Sequence, residues 1–334
     1  MRKIVFVTDI DLSKETGTGI SLYMKNLLEN INAEKIVVGK NKPDKNYFKA
    51  HRFVSIDAES NYKFLFELFC LDKSFIPDDA VIVFQRPDFC SAFLNVSNKK
   101  IITVHGNPAE IIKKKKGRAT FLIYKILEKI GFFISDKIIF IDSDTKKKYG
   151  ISSSVIPPGI DTDLFFAKKK KRSKIKTLLY VGRIEKEKNV DKIIKEFEGI
   201  VNKDYRLIVI GKGRQRIDSS DKRVRIISGV AHDRIPDFMN RADALVLMSD
   251  SEGVPTVILE ALSSGTPVLA RDVGDVSKLV VDGATGYITE FGEIEENFNK
   301  ILEKKDWVKE CVKKAKEYSW DKIAKRLEKA YFEK

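Results

Sequence analysis

The sequence predicts an α/β protein built from two doubly wound, Rossmann-like domains. Short runs rich in valine and isoleucine alternate with helical patterns, a rhythm typical of βαβ units that form parallel sheets. These runs are continuously apolar rather than alternating, as expected for strands that are buried on both faces of a sheet. The chain has 334 residues, of which 43% are hydrophobic, so it is long enough for two domains that each bury a core.

The apolar runs fall into two groups along the chain. In the first half we predict strands at residues 4–8, 35–38, 81–84, 101–104, 138–141 and 155–156. In the second half we predict strands at residues 177–181, 206–210, 224–227, 244–248, 267–270 and 286–288. In sheets of this kind ligands bind outside the carboxyl ends of the strands, and each motif described below falls at such an end.

A break in composition separates the two groups. Residues 157–176 begin with Pro157, Pro158 and Gly159 and continue into the run KKKKRSKIK. Turn residues followed by a charge run are typical of a linker. We therefore predict an N-terminal domain at residues 1–160, a C-terminal domain at 161–318 and a last amphipathic helix at 319–334.

Composition limits the class of protein. The cysteines Cys70, Cys90 and Cys311 are far apart, which favours a reducing compartment and argues against a disulfide framework or a zinc site. No apolar run reaches the roughly 20 residues that span a bilayer. The formal charge of +14 predicts an anionic partner. We expect a cytoplasmic protein, either free or attached to the inner face of a membrane.

The strongest motif is SDSEGVPTVILEALSSGTPVLA, which begins where a predicted strand ends. Pro255 suits the first turn of a helix and Gly265 suits its end, so Glu252 lies in the loop before the helix and Glu260 lies inside it. The N–H groups at this helix start can hold an anion, and two carboxylates near it suit hydroxyl groups that flank a diphosphate. The alternative is a solvated loop glutamate and a glutamate at the core edge.

Two further motifs follow strands of the second half. In LLYVGRIEKEKNVDKIIKEF, Arg183 leaves the end of a strand and Lys188 opens a helix, so the two cations could clamp a pyrophosphate. Solvated surface charge is the alternative. Gly211 and Gly213 form a G-x-G turn, which alone is a weak signal. Val230 follows the next strand.

The first half carries a glycine loop and a histidine. Gly17 and Gly19 lie between the first strand and a helix, where a glycine loop can approach a phosphate. The loop lacks the G-x-G-x-x-G pattern of dinucleotide-binding sites, so the sequence gives little support for NAD binding. His105 and Gly106 end the strand in IITVHG, a position that favours a functional over a structural histidine.

The spacing Glu252-x7-Glu260, with Gly253 after the first acid and GTPV at 265–268, resembles the signature of glycosyltransferase family 4. The resemblance implies the GT-B fold, in which two domains face a central cleft and the last helix crosses back to the N-terminal domain. It implies that Glu252 and His105 contact the donor sugar, that Glu260 contacts the ribose, and that Arg183 and Lys188 bind the diphosphate. The resemblance also implies a set of further residues that bind the donor, namely Gly17, Gly19, Gly253, Val254, Pro255, Thr256, Gly211 and Val230.

The resulting expectation is a retaining hexosyltransferase that uses a UDP- or GDP-sugar and a hydroxyl acceptor, which is a glycan, a lipid-linked molecule or a small molecule. We expect no cofactor and no metal site, and we assign none of the DxD patterns at Asp9, Asp142 and Asp161 to a metal. A nucleotide-sugar epimerase on the same architecture is one alternative. A basic nucleic-acid-binding protein is another, although no recognition signature of such proteins is present.

Residues 111–134 combine the run KKKKGR with many large apolar residues. One interpretation is a packed helix preceded by a solvated charge run. The other is a patch that binds anionic lipid headgroups, which would suit a lipid-linked acceptor. The sequence leaves both open.

Overall fold

The computed structural model describes residues 2–13, 19–44, 47–106, 108–109, 112–113, 117–169, 173–304 and 306–333. Its strands are β1 (Lys3–Asp11), β2 (Glu34–Lys40), β3 (Arg52–Ile56), β4 (Val81–Phe84), β5 (Lys100–Val104), β6 (Lys137–Phe140), β7 (Ser154–Val155), β8 (Lys176–Val181), β9 (Tyr205–Ile210), β10 (Val224–Ile227), β11 (Ala244–Leu247), β12 (Val268–Ala270) and β13 (Gly286–Ile288). Its helices are α1 (Gly19–Asn30), α2 (Asn61–Cys70), α3 (Pro87–Cys90), α4 (Arg118–Ile134), α5 (Ser143–Tyr149), α6 (Val190–Glu198), α7 (Ile235–Arg241), α8 (Thr256–Ser263), α9 (Ile294–Glu303), α10 (Val308–Lys316) and α11 (Trp320–Phe332).

The chain divides into two compact units. The N-terminal unit comprises Met1–Pro158 and Trp320–Lys334, and the C-terminal unit comprises Gly159–Ser319. The described residues of the first unit form a parallel sheet of order β3-β2-β1-β4-β5-β6-β7. Those of the second form a parallel sheet of order β10-β9-β8-β11-β12-β13. Both sheets are thus doubly wound. Successive strands are added on one side of β1 or β8 first, and then on its other side.

Helices cover both faces of the N-terminal sheet. On one face α1 and α11 pack together, and Leu27 and Leu327 lie in the same buried cluster as Phe6 of β1. On the other face α2 and α3 contribute Phe64 and Phe89 to a second cluster. The inner strands are buried throughout, which explains their continuous apolar runs.

The predicted strands are present, with ends shifted by a few residues, but β3 is a strand that the pattern missed. Its sequence RFVSI lies at the edge of the sheet, where Arg52 and Ser55 are exposed to solvent. Edge strands bury less side-chain surface, so their apolar signal is weaker.

The helix predicted to open at Lys188 begins instead at Val190. Residues Lys186–Lys188 form a 3₁₀ turn, and Asn189 adopts a left-handed conformation with φ of 52°. The Asn189 side chain donates to the backbone oxygen of Met248 at 3.0 Å, which fixes this turn against the end of β11. The local pattern could not show this long-range contact.

No helix among the described residues is long and apolar enough to cross a membrane.

Candidate active site

The carboxyl ends of neighbouring strands bring the second-half motifs to one edge of the sheet. The sheet order places β8 beside β11 and β11 beside β12. Arg183 follows β8, Glu252 follows β11 and Gly274 follows β12. Because parallel strands end at the same edge, the loops that carry these residues leave the sheet together.

Glu252 is held by a cation and a hydroxyl group. Lys188 Nζ lies 2.6 Å from Glu252 Oε1, and Ser249 Oγ donates to the same oxygen at 2.7 Å. Both charged side chains are only 12% exposed, so solvent and salt screen their attraction less than that of a surface pair. An ammonium group has three N–H donors, and the bond to Glu252 therefore leaves Lys188 donors for an anionic ligand.

Arg183 is the more exposed of the two predicted cations. Its side chain is 69% exposed, and its guanidinium lies 3.7 Å from Glu187 Oε1. An exposed ion pair contributes at most about 1 kcal/mol, so Arg183 can exchange Glu187 for a ligand with little loss of stability. Arg183 and Lys188 thus have different acidic partners, and their joint contact with one diphosphate stays a prediction.

The loop that carries Glu252 is supported by residues that the sequence did not single out. Asn189 Nδ2 donates to Asp250 Oδ1 at 2.8 Å, and Arg271 donates to the same oxygen at 2.7 Å. Gly274 has a φ of +60°, and a Cβ there would lie 2.1 Å from the backbone oxygen of Glu252. In the sequence, only the presence of a glycine in the loop after a predicted strand could have indicated that the two loop backbones come this close.

Helix α8 places Glu260 in a nearly buried position. Thr256 is its first residue after Pro255, and Gly265, with φ of +73°, follows its end. Glu260 is 7% exposed, and His232 Nε2 lies 3.0 Å from its Oε1. The histidine was not predicted as a partner, because its loop follows a different strand. The first N–H groups of α8 point out of the helix and have no acceptor within it.

The glycines after β9 allow two backbone segments to approach. A Cβ on Gly211 would lie 1.9 Å from the backbone oxygen of Gly182, and one on Gly213 would lie 1.8 Å from that of Ile184. The G-x-G turn therefore has a packing role beside β8. Val230 is partly buried against the core of this unit, and its role in donor binding stays a prediction.

His105 lies at the end of β5 in the N-terminal unit. Its Nε2 lies 2.6 Å from Gln85 Oε1, and because that oxygen can only accept, the histidine donates. Burial lowers the pKa of His105 to about 4, although the charge of Asp9 opposes the shift. His105 is therefore neutral at pH 7, and Nδ1 is its acceptor nitrogen. Tyr23 of α1 packs edge-on against the ring at 4.8 Å.

Gly19 is the first residue of α1. Gly17 lies outside the described residues, so the structure gives no geometry for the predicted glycine loop.

The first acid of each DxD pattern has a partner within the protein. Asp142 caps α5 by accepting from Thr145 N at 2.7 Å. Asp161 Oδ1 accepts from the backbone N–H of Asp163 at 3.0 Å. Asp9 pairs with Arg86. Within the part of the chain that the structure describes, no group of three or more His, Cys, Asp or Glu residues is placed to hold a metal ion.

Comparison with known proteins identifies the family. The family described as "Glycosyl transferases group 1" matches residues 161–318. The capsular polysaccharide biosynthesis glycosyltransferase CapM of Staphylococcus aureus is 31% identical over 267 residues, which cover 71% of this chain and 68% of CapM. An uncharacterized glycosyltransferase of Methanocaldococcus jannaschii is 24% identical over 343 residues and 94% of each chain.

Solved structures show the same fold. HepE of Anabaena, in complex with UDP and glucose, matches 99% of both chains with a TM-score of 0.75 at 14% identity. The lipopolysaccharide outer core galactosyltransferase WaaB matches 99% of both chains with a TM-score of 0.72 at 17% identity. The chain belongs to the group 1 glycosyltransferase family and is a glycosyltransferase of the GT-B fold. The predicted fold class and enzyme class are confirmed.

Proposed function

We propose that the protein is a retaining hexosyltransferase that moves a hexosyl unit from a UDP- or GDP-sugar to an acceptor hydroxyl. The acceptor belongs to a glycan, a lipid-linked molecule or a small molecule. The observation that carries this proposal is the ion pair between Lys188, in the turn after β8, and Glu252, in the loop before α8. Glu260 lies on α8 itself. The UDP and glucose bound to HepE and the polysaccharide role in the name of CapM support it.

In the proposed donor site the diphosphate lies at the start of α8. The N–H groups of Thr256 and Val257 at the helix start and the spare donors of Lys188 supply positive charge at this point. Arg183 joins them by exchanging its exposed partner Glu187 for the ligand. Glu252 then accepts hydrogen bonds from hydroxyl groups of the sugar, and Glu260 accepts from the ribose.

The proposed reaction is a front-side displacement at the anomeric carbon. The bond from this carbon to the phosphate oxygen breaks, and both of its electrons stay with the leaving diphosphate. The acceptor oxygen bonds to the carbon on the same face, and its proton passes to the departing phosphate oxygen. Lys188 and Arg183 stabilise the charge that develops on the diphosphate, so the scheme needs neither a metal nor a cofactor.

Product analysis tests this function. The protein is incubated with UDP- and GDP-hexoses and a panel of glycoside acceptors, with and without EDTA, and the products are characterised by proton NMR. We expect a glycoside with the anomeric configuration of the donor, formed at the same rate in EDTA. An inverted product would contradict front-side attack, and loss of activity in EDTA would contradict the metal-free scheme. An isomerised nucleotide-sugar without transfer would favour the epimerase.

We also propose that α4 attaches the protein to an anionic membrane surface. The helix exposes a stripe of large apolar side chains, and Phe133 at its end is 91% exposed. The other members of the stripe are Leu122, Ile123, Ile126 and Ile130. An exposed apolar face of this kind is typical of an interaction surface.

The charges of α4 favour anionic lipid as the occupant. Arg118 and Lys129 are exposed cations of this helix, and its only acid, Glu128, is 1% exposed. Glu128 is turned inward because it accepts hydrogen bonds from Tyr124 and Tyr149 at 3.0 and 2.6 Å and pairs with Lys125. The exposed face thus combines large apolar side chains with two exposed cations and no exposed acid, as in helices that lie in a membrane interface.

Vesicle co-sedimentation tests this attachment. At low salt the protein should bind vesicles that contain phosphatidylglycerol and should bind vesicles of phosphatidylcholine alone much less. Phe133→Glu should weaken this binding at least tenfold. Phe166→Glu is the matched control, because Phe166 is an exposed phenylalanine of the C-terminal unit. Equal binding to both kinds of vesicle, or equal effects of both substitutions, would contradict the proposal.

A further inference from the structure

Asn189 connects the loop after β8 with the loop after β11. Its side-chain amide has two N–H donors. Nδ2 donates to the backbone oxygen of Met248 at 3.0 Å and to Asp250 Oδ1 at 2.8 Å. Because Asn189 is 3% exposed, water competes little for these two bonds. The amide therefore directs its donors into the segment that leads to Glu252.

The backbone at Asn189 also favours this residue type. Its φ of 52° and ψ of 34° lie in the left-handed region, which glycine and asparagine enter more readily than other residues. The backbone N–H of Asp250 donates to the backbone oxygen of Glu187 at 2.8 Å. Lys188 thus lies between two residues, Glu187 and Asn189, that both bond to the loop after β11.

Asp250 extends this connection across the sheet. Its Oδ1 also accepts from Arg271, which directly follows β12, at 2.7 Å. Arg271 Nε in turn donates to Glu290 Oε2, in the loop after β13, at 2.9 Å. The strand order is β8-β11-β12-β13, so these contacts join the loops of four neighbouring strands. The turn that carries Lys188 is thereby held by the sheet edge as well as by its own helix.

The position of Lys188 depends on this connection because Lys188 is the residue before Asn189. Lys188 Nζ lies 2.6 Å from Glu252 Oε1, a distance that a small shift of the turn would lengthen. A misplacement of about 1 Å in a catalytic site can lower the rate about 100-fold. Loss of the Asn189 amide would release the turn without changing any charge of the site.

We propose that Asn189 is a positioning residue of the transferase site, which acts by holding Lys188 against Glu252. That Lys188 then faces the leaving diphosphate rests on the proposed function, whereas its position beside Glu252 does not. Asparagine meets two demands here, since it tolerates the left-handed backbone and supplies two donors. Glycine meets only the first of them.

Asn189→Gly therefore removes the two bonds while it keeps the backbone conformation. Asn41→Gly is the matched control. Asn41, with φ of 60°, is the other non-glycine residue with a positive φ in the part of the chain that the structure describes, and it follows β2 in the N-terminal unit. Urea unfolding checks that both variants are folded.

The first readout is the rate at which acetic anhydride acetylates each lysine, measured by fragment-ion mass spectrometry. In the wild type Lys188 should react at least tenfold more slowly than the exposed Lys186, because Lys188 is only 12% exposed and is paired. Asn189→Gly should raise the rate at Lys188 at least fivefold, and Asn41→Gly should leave it unchanged. An unchanged rate in Asn189→Gly, or an equal rise in both variants, would overturn the inference.

The second readout is the initial rate of sugar transfer at saturating donor. Asn189→Gly should lower this rate at least tenfold in the wild-type background. In the Lys188→Ala background it should lower the rate less than twofold, because a positioning residue has little effect once the group it positions is gone. An equal factor in both backgrounds would assign Asn189 a structural role that does not act through Lys188, and would overturn the inference.

The two readouts separate the inference from the proposed function. If the wild type transfers no sugar, the proposed function fails, and the acetylation rates alone decide whether Asn189 holds Lys188 in place. If the wild type transfers sugar and Asn189→Gly transfers it at the wild-type rate, the proposed function stands and the inference fails.

Discussion

At the scale of single residues, Lys188 is the side chain on which the proposed donor site most depends. It is 12% exposed and pairs with Glu252 at 2.6 Å. In the proposed site, Lys188→Ala removes a cation from the leaving diphosphate, and it leaves the Glu252 carboxylate without its ion-pair partner. Loss of one such stabilising group typically lowers turnover by about 10²–10³-fold. We expect a fall of this size in initial rate at saturating donor.

Lys186→Ala is the matched control for this substitution. Lys186 lies two residues away in the same 3₁₀ turn and is exposed to solvent. Its loss should change the rate by less than about twofold, as expected for a solvated charge. Equal losses of rate in the two variants would show that the rate depends on the total positive charge of this loop and not on the buried Lys188–Glu252 pair.

His105 gives a residue-scale prediction about pH. Burial lowers its pKa to about 4, below the ordinary value of 6.5, so the unfolded chain binds the proton more readily than the folded chain. The stability that neutral His105 contributes is therefore complete above about pH 6.5 and is lost as the pH falls towards 4. NMR titration of the imidazoles, with His105→Asn to assign the signal, measures this pKa. A midpoint near 6.5 would contradict the prediction.

At the scale of elements, the loop after β12 supports the loop after β11. Gly274→Ala combines a left-handed backbone, worth about 1–2 kcal/mol, with a Cβ placed 2.1 Å from the Glu252 backbone oxygen. The Glu252 loop would have to move, so we expect lower stability together with a large loss of turnover. Urea unfolding and initial rates measure the two effects.

Gly283→Ala isolates the backbone contribution. Gly283 also has a positive φ, of +69°, but a Cβ there meets nothing within 4 Å. We expect a similar loss of stability from the backbone alone and near-normal turnover. If turnover fell equally in both variants, support of the Glu252 loop by Gly274 would not be needed for activity.

Much of the fold could be predicted because buried parallel strands leave a local signal. Pro255 and Gly265 likewise bracket α8 in the sequence, which is why the positions of Glu252 and Glu260 relative to the helix could be predicted. The pairing of Asp9 with Arg86 could not be predicted, because these residues are far apart in the chain and meet only through the adjacency of β1 and β4. Strand order depends on long-range packing, which a local pattern does not specify.

At the scale of the whole molecule, the chain combines two units with different chemistry. The C-terminal unit carries the ion pair and helix start proposed for a nucleotide-sugar. The N-terminal unit carries the contact between His105 and the buried Gln85, and a helix surface with large exposed apolar side chains. The family assignment identifies the class of reaction, and the contacts of the C-terminal unit support the proposed donor.

The most direct measurement of the central claim is the thermal midpoint of the purified protein with UDP, GDP, ADP, CMP and NAD. A ligand at 100 times its Kd stabilises the folded state by about 2.7 kcal/mol, which raises the midpoint by several degrees. We predict such a rise with UDP or GDP. In Glu260→Ala the same nucleotide should leave the midpoint at the value of the ligand-free variant. A rise with none of them at millimolar concentration, or one kept in Glu260→Ala, would contradict a nucleotide-sugar site at α8.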